Sequence, residues 1–510
     1  MHFKLSFFKP HPIQACATEE FVFPSPIGEG SYSISQSIAI RWGEVLKCQM
    51  GFDLLSRDIL KCTHHLQTGQ VLLNLYKVYS WLNGCFYDEK NFKYTQMTSR
   101  RKFIKTAGLF SGLTAIPILS NGFPVHHTAP PQDFRTAVDE DELFMMIRKQ
   151  LLIPENRIYL NTGSLGPSPL PVIEALNLFT RQLEMNPVSE NWGALGDQME
   201  LVRKKVADFI NAEVEEIILT RNTTEGLNLI GQSLDLKRDD EILTTTLEHG
   251  GGEVGLEFLE QTKGAVIRKL ELPMPTRSVD EIISAVGEAI TEKTKLVMLS
   301  HVNTVTGLLM PFAEIARLIK PKGIYLVADG AQAPGLTKVN VKALEVDAYA
   351  ASGHKWLMGP KETGFLYLNK KSKDKIHPVF TSSGFAAYSK SSGTRNVATI
   401  IGLGVAIDWH TAIGMEKIER RCLEIRNYCL NELKKLSGLK IISPELESLS
   451  TGIVSFTLTS KTNTDIYSKL KDQEIIVKVL TQHNAIRISC HIFILKTEID
   501  KFIKTLKFLL

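Results

Sequence analysis

The sequence predicts an α/β protein: a mainly parallel sheet covered by helices on both faces, followed by a smaller α+β domain. Between residues 216 and 368, seven short apolar runs alternate with turn residues and amphipathic helical stretches. That alternation is how a chain buries a parallel sheet between helices. After about Thr399 the alternation stops, and one long helical stretch leads into a mixture of strands and helices. The length of 510 residues, with 44% hydrophobic and 22% charged residues, fits a globular chain with a sizeable core and more than one domain.

The elements follow in order. Residues 1–96 are aromatic and cysteine-bearing, without period or turn grammar, and read as a non-native or disordered extension. Met97 then precedes Thr-Ser-Arg-Arg-Lys-Phe-Ile-Lys at 98–105 and an apolar run of about 14 residues at 106–119. Paired arginines ahead of a mild hydrophobic run resemble a twin-arginine export signal, which belongs at an N-terminus, so translation is expected to start at Met97. The run is shorter than the ~20 residues that span a bilayer, so no stable membrane anchor is expected. The protein is then periplasmic or exported; if the arginine pair is fortuitous, it is cytoplasmic. Signal and linker occupy 97–135, and an N-terminal segment with a helix at 141–151 and a strand at 157–161 occupies 136–165.

The large domain is expected at 166–399, opening with helices at 172–184 and 198–210. Its strands are 216–220, 241–245, 265–269, 295–300, 325–328, 348–351 and 364–368, with helices at 226–234, 279–290 and 312–319 among them. The small domain, 400–510, holds a helix at 400–436 broken near Ile413-Gly414, strands at 452–458, 475–479 and 485–489, a helix at 464–472 and a last helix from Thr497.

Lys plus Arg total 59 and Asp plus Glu 55, a net charge of +4 that gives no reason to expect nucleic acid. None of the seven cysteines forms a C-x-x-C pair, so no metal or redox motif is expected, and Cys422 and Cys429 read as buried small hydrophobes.

In open sheets of this kind, ligands sit at the carboxyl ends of strands. Five such ends carry chemistry. Asn222-Thr223-Thr224-Glu225-Gly226 runs into a helix, whose N-terminus and hydroxyls suit a phosphate, although Thr also serves there as a plain cap. His249 is followed by three glycines, which let a flat ligand approach closely. Asn303 makes a turn or bonds a ligand oxygen. Asp329 leaves an apolar strand into Gly-Ala, where a carboxylate needs a partner such as a pyridinium N–H, or else caps a turn. Lys355, in Ser352-Gly353-His354-Lys355-Trp356, sits where a lysine can have a lowered pKa and act as an amine nucleophile, although a solvated loop lysine is the commoner case. Together these supply phosphate donors, a ring stacker, an oxygen donor, an acid and an amine, the set that pyridoxal 5′-phosphate (PLP) needs.

On these motifs, together with Asp329-Gly330-Ala331-Gln332 and Ser392-Gly393-Thr394-Arg395, the chain resembles the class V aminotransferase-like PLP enzymes of fold type I. That group includes cysteine desulfurases, selenocysteine lyases and isopenicillin-N epimerase-like proteins. The spacing of 26 positions from Asp329 to Lys355 belongs to the resemblance, which covers roughly 157–502. It implies Lys355 as the Schiff-base lysine, Asp329 at the pyridine nitrogen and His249 stacked on the ring, these three being the catalytic residues. It further implies Gln332 at the phenolic oxygen, and Thr224, Ser352 and His354 at the phosphate with Thr223 close by. Thr394 would reach the phosphate of a partner subunit, which makes the expected assembly a homodimer with shared sites. Arg487 would grip the α-carboxylate of an amino-acid substrate, with Asn303 near it. Cysteine desulfurases carry a nucleophilic cysteine before that arginine, and residues 479–486 have none.

The function expected is chemistry at the α-carbon of an amino acid, of aminotransferase or epimerase type. The Trp192 region and the Thr394-Arg395 pair lean towards those members. The alternatives are a C–S lyase or desulfurase-like enzyme, and a non-catalytic binding protein of the same fold.

Overall fold

The computed structural model describes Phe134, residues 139–372 and residues 393–510, with two short strands earlier in the chain. The chain divides into two compact units, Met1–Gly122 and Phe123–Leu510. In the first, β1 (Cys85–Tyr87) pairs antiparallel with β2 (Tyr94–Gln96). The arginine pair at 100–101 and its apolar run lie outside the described residues.

The second unit opens with α1 (Glu140–Lys149), capped by the Asp139 carboxylate, which accepts the Glu142 N–H at 2.8 Å. A short strand β3 (Ile158–Tyr159) follows, then α2 (Leu170–Met185), α3 (Pro187–Asn191) and α4 (Ala194–Ile210). The central sheet is built from β4 (Ile217–Thr220), β5 (Glu241–Thr245), β6 (Val266–Leu270), β7 (Thr294–Ser300), β8 (Tyr325–Asp329), β9 (Ala348–Ser352) and β10 (Gly364–Leu368). The strand order is β4-β10-β9-β8-β7-β5-β6, and only β10 runs antiparallel to its neighbours. The seven strands lie where the alternation of the sequence puts them, within a residue at each end.

Between the strands run α5 (Thr223–Ser233), α6 (Gly250–Lys263), α7 (Val279–Ala289) and α8 (Phe312–Ile319). Because side chains of a strand alternate between faces, successive residues enter different cores. Ile218, Val327, Ala348, Ala350 and Leu366 pack with Leu227, Ile230, Leu256 and Leu259 of α5 and α6. Leu219, Leu326, Ala328, Tyr349, Ala351 and Phe365 pack on the opposite side, with α4, α7 and α8. A strand buried on both faces has no polar side to show, which is why these runs read as continuously apolar.

The long stretch after residue 396 is two helices, α9 (Val397–Ile413) and α10 (Met415–Leu433), bent by 79° at Gly414. Gly414 has φ +96°, the left-handed region that a glycine adopts without strain. α9 is apolar all round and buried among α2, α4 and the sheet. Among the described residues, no single helix is long and apolar enough to cross a membrane.

A four-stranded antiparallel sheet follows, in the order β11 (Leu439–Ile441), β12 (Ile453–Leu458), β15 (Ala485–Ser489), β14 (Lys478–Leu480). α11 (Asn463–Asp472) and the last helix, α12 (Lys496–Leu509), complete the unit. The expected strand at 475–479 is corrected to two. β13 (Ile475–Ile476) pairs parallel with β3, β14 pairs with β15, and the chain changes sheets at the buried Val477. Here a continuous apolar run hid a change of partner.

Candidate active site

Strand register lines up the chemistry. Ser300 of β7 pairs with Asp329 of β8, Asp329 with Ala350 of β9, Ser352 with Gly364 of β10, and Gly364 with Thr220 of β4. The ends of five adjacent strands therefore share one edge of the sheet, and the loops carrying Thr223, His249, Asn303 and Lys355 leave from it.

Asp329 is buried, and burial pushes its carboxyl up from the ordinary range. The Ala331 N–H, donated to Oδ1 at 2.8 Å, and the charges of Lys355 and His249 pull it back down. Lys355 answers in the opposite direction. Burial brings its amine down to about 8, Asp329 works against that fall, and the cations Arg487 and Lys478 add to it. His249 caps α6 with Nδ1, which accepts the Gly251 N–H at 3.1 Å. Its pKa is lowered by desolvation and then by Lys355, so the neutral ring carries its proton on Nε2.

Ser352 ties the end of β9 to the start of α5: its Oγ accepts the Thr223 N–H at 3.0 Å and shares a 2.8 Å hydrogen bond with Thr223 Oγ1. His354 has a buried Nδ1 with no hydrogen-bond partner, and burial lowers its pKa to about 4. A Cβ added at Gly251 would stand 2.7 Å from Thr224 Oγ1, and one at Gly252 would stand 3.0 Å from Asp329 Oδ2. The orphaned imidazole nitrogen, the helix N-terminus and the open floor that two glycines leave above Asp329 fit a flat phosphorylated ring.

Arg487 of β15 is buried, and burial lowers its guanidinium to about 10. Nη1 donates to Thr304 O at 3.0 Å and Thr304 Oγ1 at 2.7 Å. Nη2 makes only long contacts, 3.5 Å to Asn161 Oδ1 and 3.3 Å to Ser164 Oγ, and Nε has no partner. Among the described residues, no carboxylate pairs with this buried cation. Such a charge is costly until an anion reaches it.

Two of the expected contact residues are already engaged within the protein. Asn303 is spent on its own turn: Oδ1 accepts the Val305 and Thr306 N–H groups and the Thr306 hydroxyl, and Nδ2 donates to Leu247 O at 3.0 Å. Its neighbour Thr304, rather than Asn303, touches Arg487. Gln332 is also engaged: Oε1 accepts the Trp356 Nε1–H at 2.7 Å, and Nε2 donates to Gly163 O at 2.9 Å and Thr304 Oγ1 at 3.4 Å. Reaching a ring oxygen would cost it the longer of these bonds. Thr394 is exposed just before α9.

Glu248 carries no role in the sequence reading, yet its carboxyl lies inside the site. It accepts the Thr245 hydroxyl at 2.7 Å and the Ser300 hydroxyl, and burial, aided by the Asp329 charge, pushes it up to about 7. Glu beside a histidine in a loop gives no hint of burial, because the pocket that receives it is made by β5 and β7 together.

Known proteins resemble this chain in sequence and fold. The Aminotransferase class-V family model matches residues 158–502. Isopenicillin N epimerase of Amycolatopsis lactamdurans is 28% identical over 71% of this chain and 97% of that protein. Cysteine desulfurase of Cronobacter sakazakii is 33% identical over 63% of this chain and 82% of that protein. Among solved structures, a lysine-to-alanine mutant of C-DES with glycine covalently linked to its PLP cofactor has a TM-score of 0.65 at 25% identity, covering 71% of this chain and 98% of that one. The apo cysteine desulfurase of Thermococcus onnurineus NA1 has a TM-score of 0.63 at 26% identity, covering 72% and 97%. With the matched span taking in every strand of the central sheet and both Asp329 and Lys355, this chain belongs to the class V aminotransferase family.

Proposed function

We propose that this PLP-dependent class V enzyme acts at the α-carbon of an amino acid, by transamination or epimerisation. The observation that carries the reading is Arg487: a buried guanidinium with no carboxylate partner among the described residues, close enough to Lys355 for its charge to help lower that amine, after burial. PLP supplies an electron-accepting ring that stabilises negative charge at a substrate α-carbon. Asp329 offers a buried carboxylate to the ring nitrogen, and His249 offers a neutral ring above the glycine floor. The α5 N-terminus, Thr224, Ser352 and His354 would hold the phosphate, with Thr223 supporting Ser352. With its amine near 8, Lys355 is neutral in about one molecule in ten at pH 7, enough to take up and return a proton. Arg487 binds and orients the carboxylate as a planar fork.

Desulfuration by an enzyme thiol finds no support among the described cysteines. Cys422, Cys429 and Cys490 are buried, and burial or a neighbouring thiol holds the first two well above the ordinary thiol range. We further infer a homodimer in which the exposed Thr394 serves the partner's phosphate, and export by the twin-arginine route. Cross-linking and fractionation of a producing cell test these.

The decisive measurement is the visible spectrum of the cofactor-loaded protein titrated with L- and D-amino acids. Spectral change with amino acids, and loss of the cofactor band in Lys355→Ala, are expected. An unaltered band in Lys355→Ala would overturn the assignment.

A further inference from the structure

Lys478 stands directly opposite Arg487 in the antiparallel pairing of β14 with β15. Residues directly opposite in such a pair project from the same sheet face with Cβ atoms about 5 Å apart. Two cations placed there repel each other, and β14 is an edge strand on which a lysine is free to turn into water. An edge lysine often serves only to discourage strand addition. This one also borders the site: the pairing sets it beside Arg487 on one sheet face, and after burial, the main cause, its charge adds a lesser share to the lowered pKa values of Lys355 and His249. Among the described residues, no acid forms an ion pair with it. The two acids of the site are already engaged, Asp329 with the Ala331 N–H and the Lys355 charge, and Glu248 with Thr245 and Ser300. The substrate side of the site therefore presents two cations, one buried and one exposed.

We propose that Lys478 is a specificity-determining residue that selects amino acids bearing a second anionic group on the side chain. The inference rests on the reading of Arg487 as the α-carboxylate site. With that carboxylate fixed by the fork, the side chain's distal anion meets the flexible ammonium. Four rotatable bonds in lysine accommodate more than one chain length, so both a shorter and a longer acidic amino acid are accepted.

Spectral titration of the cofactor-loaded enzyme tests this with four probes: L-aspartate, L-glutamate and their neutral counterparts L-asparagine and L-glutamine. The acids are expected to bind about 10-fold more tightly than the amides, as for a charge-assisted contact at a partly solvated site. Lys478→Met abolishes the difference, leaves the amides within about twofold of wild type, and Lys478→Arg restores it. Raising the salt shrinks the difference in wild type and in Lys478→Arg, and changes nothing in Lys478→Met. Equal binding of acids and amides by the wild type, or an equal loss of both in Lys478→Met, overturns the role of Lys478 and leaves the α-carbon reading standing. No response to any of the four overturns both.

Discussion

Replacing Arg487 with methionine should make the cofactor-free protein more stable while abolishing its grip on amino acids. The fall of the guanidinium from its ordinary value to about 10 corresponds to roughly 3 kcal/mol of unfavourable burial. Against that stand two good hydrogen bonds to Thr304, at 3.0 and 2.7 Å, together about 2 kcal/mol. The contacts to Asn161 and Ser164 are long, and Nε bonds nothing. Methionine fills a similar volume with a flexible apolar chain, so a net gain of about 1 kcal/mol is expected at pH 7. The sign with pH follows from a base whose folded pKa is lowered. Its penalty is full while both states are charged and fades only as pH rises above about 10, so the gain is constant between pH 6 and 9. Urea unfolding of both cofactor-free proteins across that range measures it. The same variant, loaded with PLP, should show amino-acid affinity lowered at least ~100-fold. A loss of 2 kcal/mol or more would refute the reasoning, because the guanidinium would then be a structural strut rather than a charge awaiting its anion.

Other expectations follow from the same geometry. Glu248, raised to about 7 from an ordinary value near 4.5, favours its protonated form on folding, so its contribution is full below about pH 4.5 and is lost as pH rises through about 7. Glu248→Gln should remove that slope, ~2–3 kcal/mol, from a plot of stability against pH, and an unchanged slope would exclude the assignment. Gly252→Ala puts a methyl 3.0 Å from Asp329 Oδ2. It should weaken PLP binding about 10-fold with a change of no more than ~1 kcal/mol in cofactor-free stability, measured by reconstitution and by urea. Gly335 has φ +86° with a Cβ position 2.5 Å from the backbone of Trp356 and Leu357. Gly335→Ala should therefore cost ~3 kcal/mol or more, read as a lower melting temperature.

What the sequence disclosed depended on how local the cause was. The central strands were legible because burial on both faces forces an apolar run, and Asp329 and Lys355 because each leaves such a run within a few residues. The α9–α10 break was legible because Gly414 has no Cβ. Asn303 was ambiguous, and in the structure it makes a turn, because the Val305 and Thr306 N–H groups and the Thr306 hydroxyl reach its amide oxygen. β11 and the division of 475–479 were illegible, since short strands are defined by their partners. Glu248, Thr304 and Lys478 were also hidden. Glu248 and Thr304 meet partners distant in sequence, Ser300 and Arg487, and Lys478 faces Arg487 only through the pairing of two strands, so no local pattern records these meetings.

The carboxylate grip is assembled from remote parts of the chain, with Arg487 reaching Thr304 and Asn161 across separations of 183 and 326 positions. Asp329 and Lys355, by contrast, leave neighbouring strands of one sheet. Mild denaturant should exploit this difference. Loosening the four-stranded sheet releases Arg487 and silences the enzyme, while the cofactor, anchored to the parallel strands, keeps its colour until the whole fold gives way.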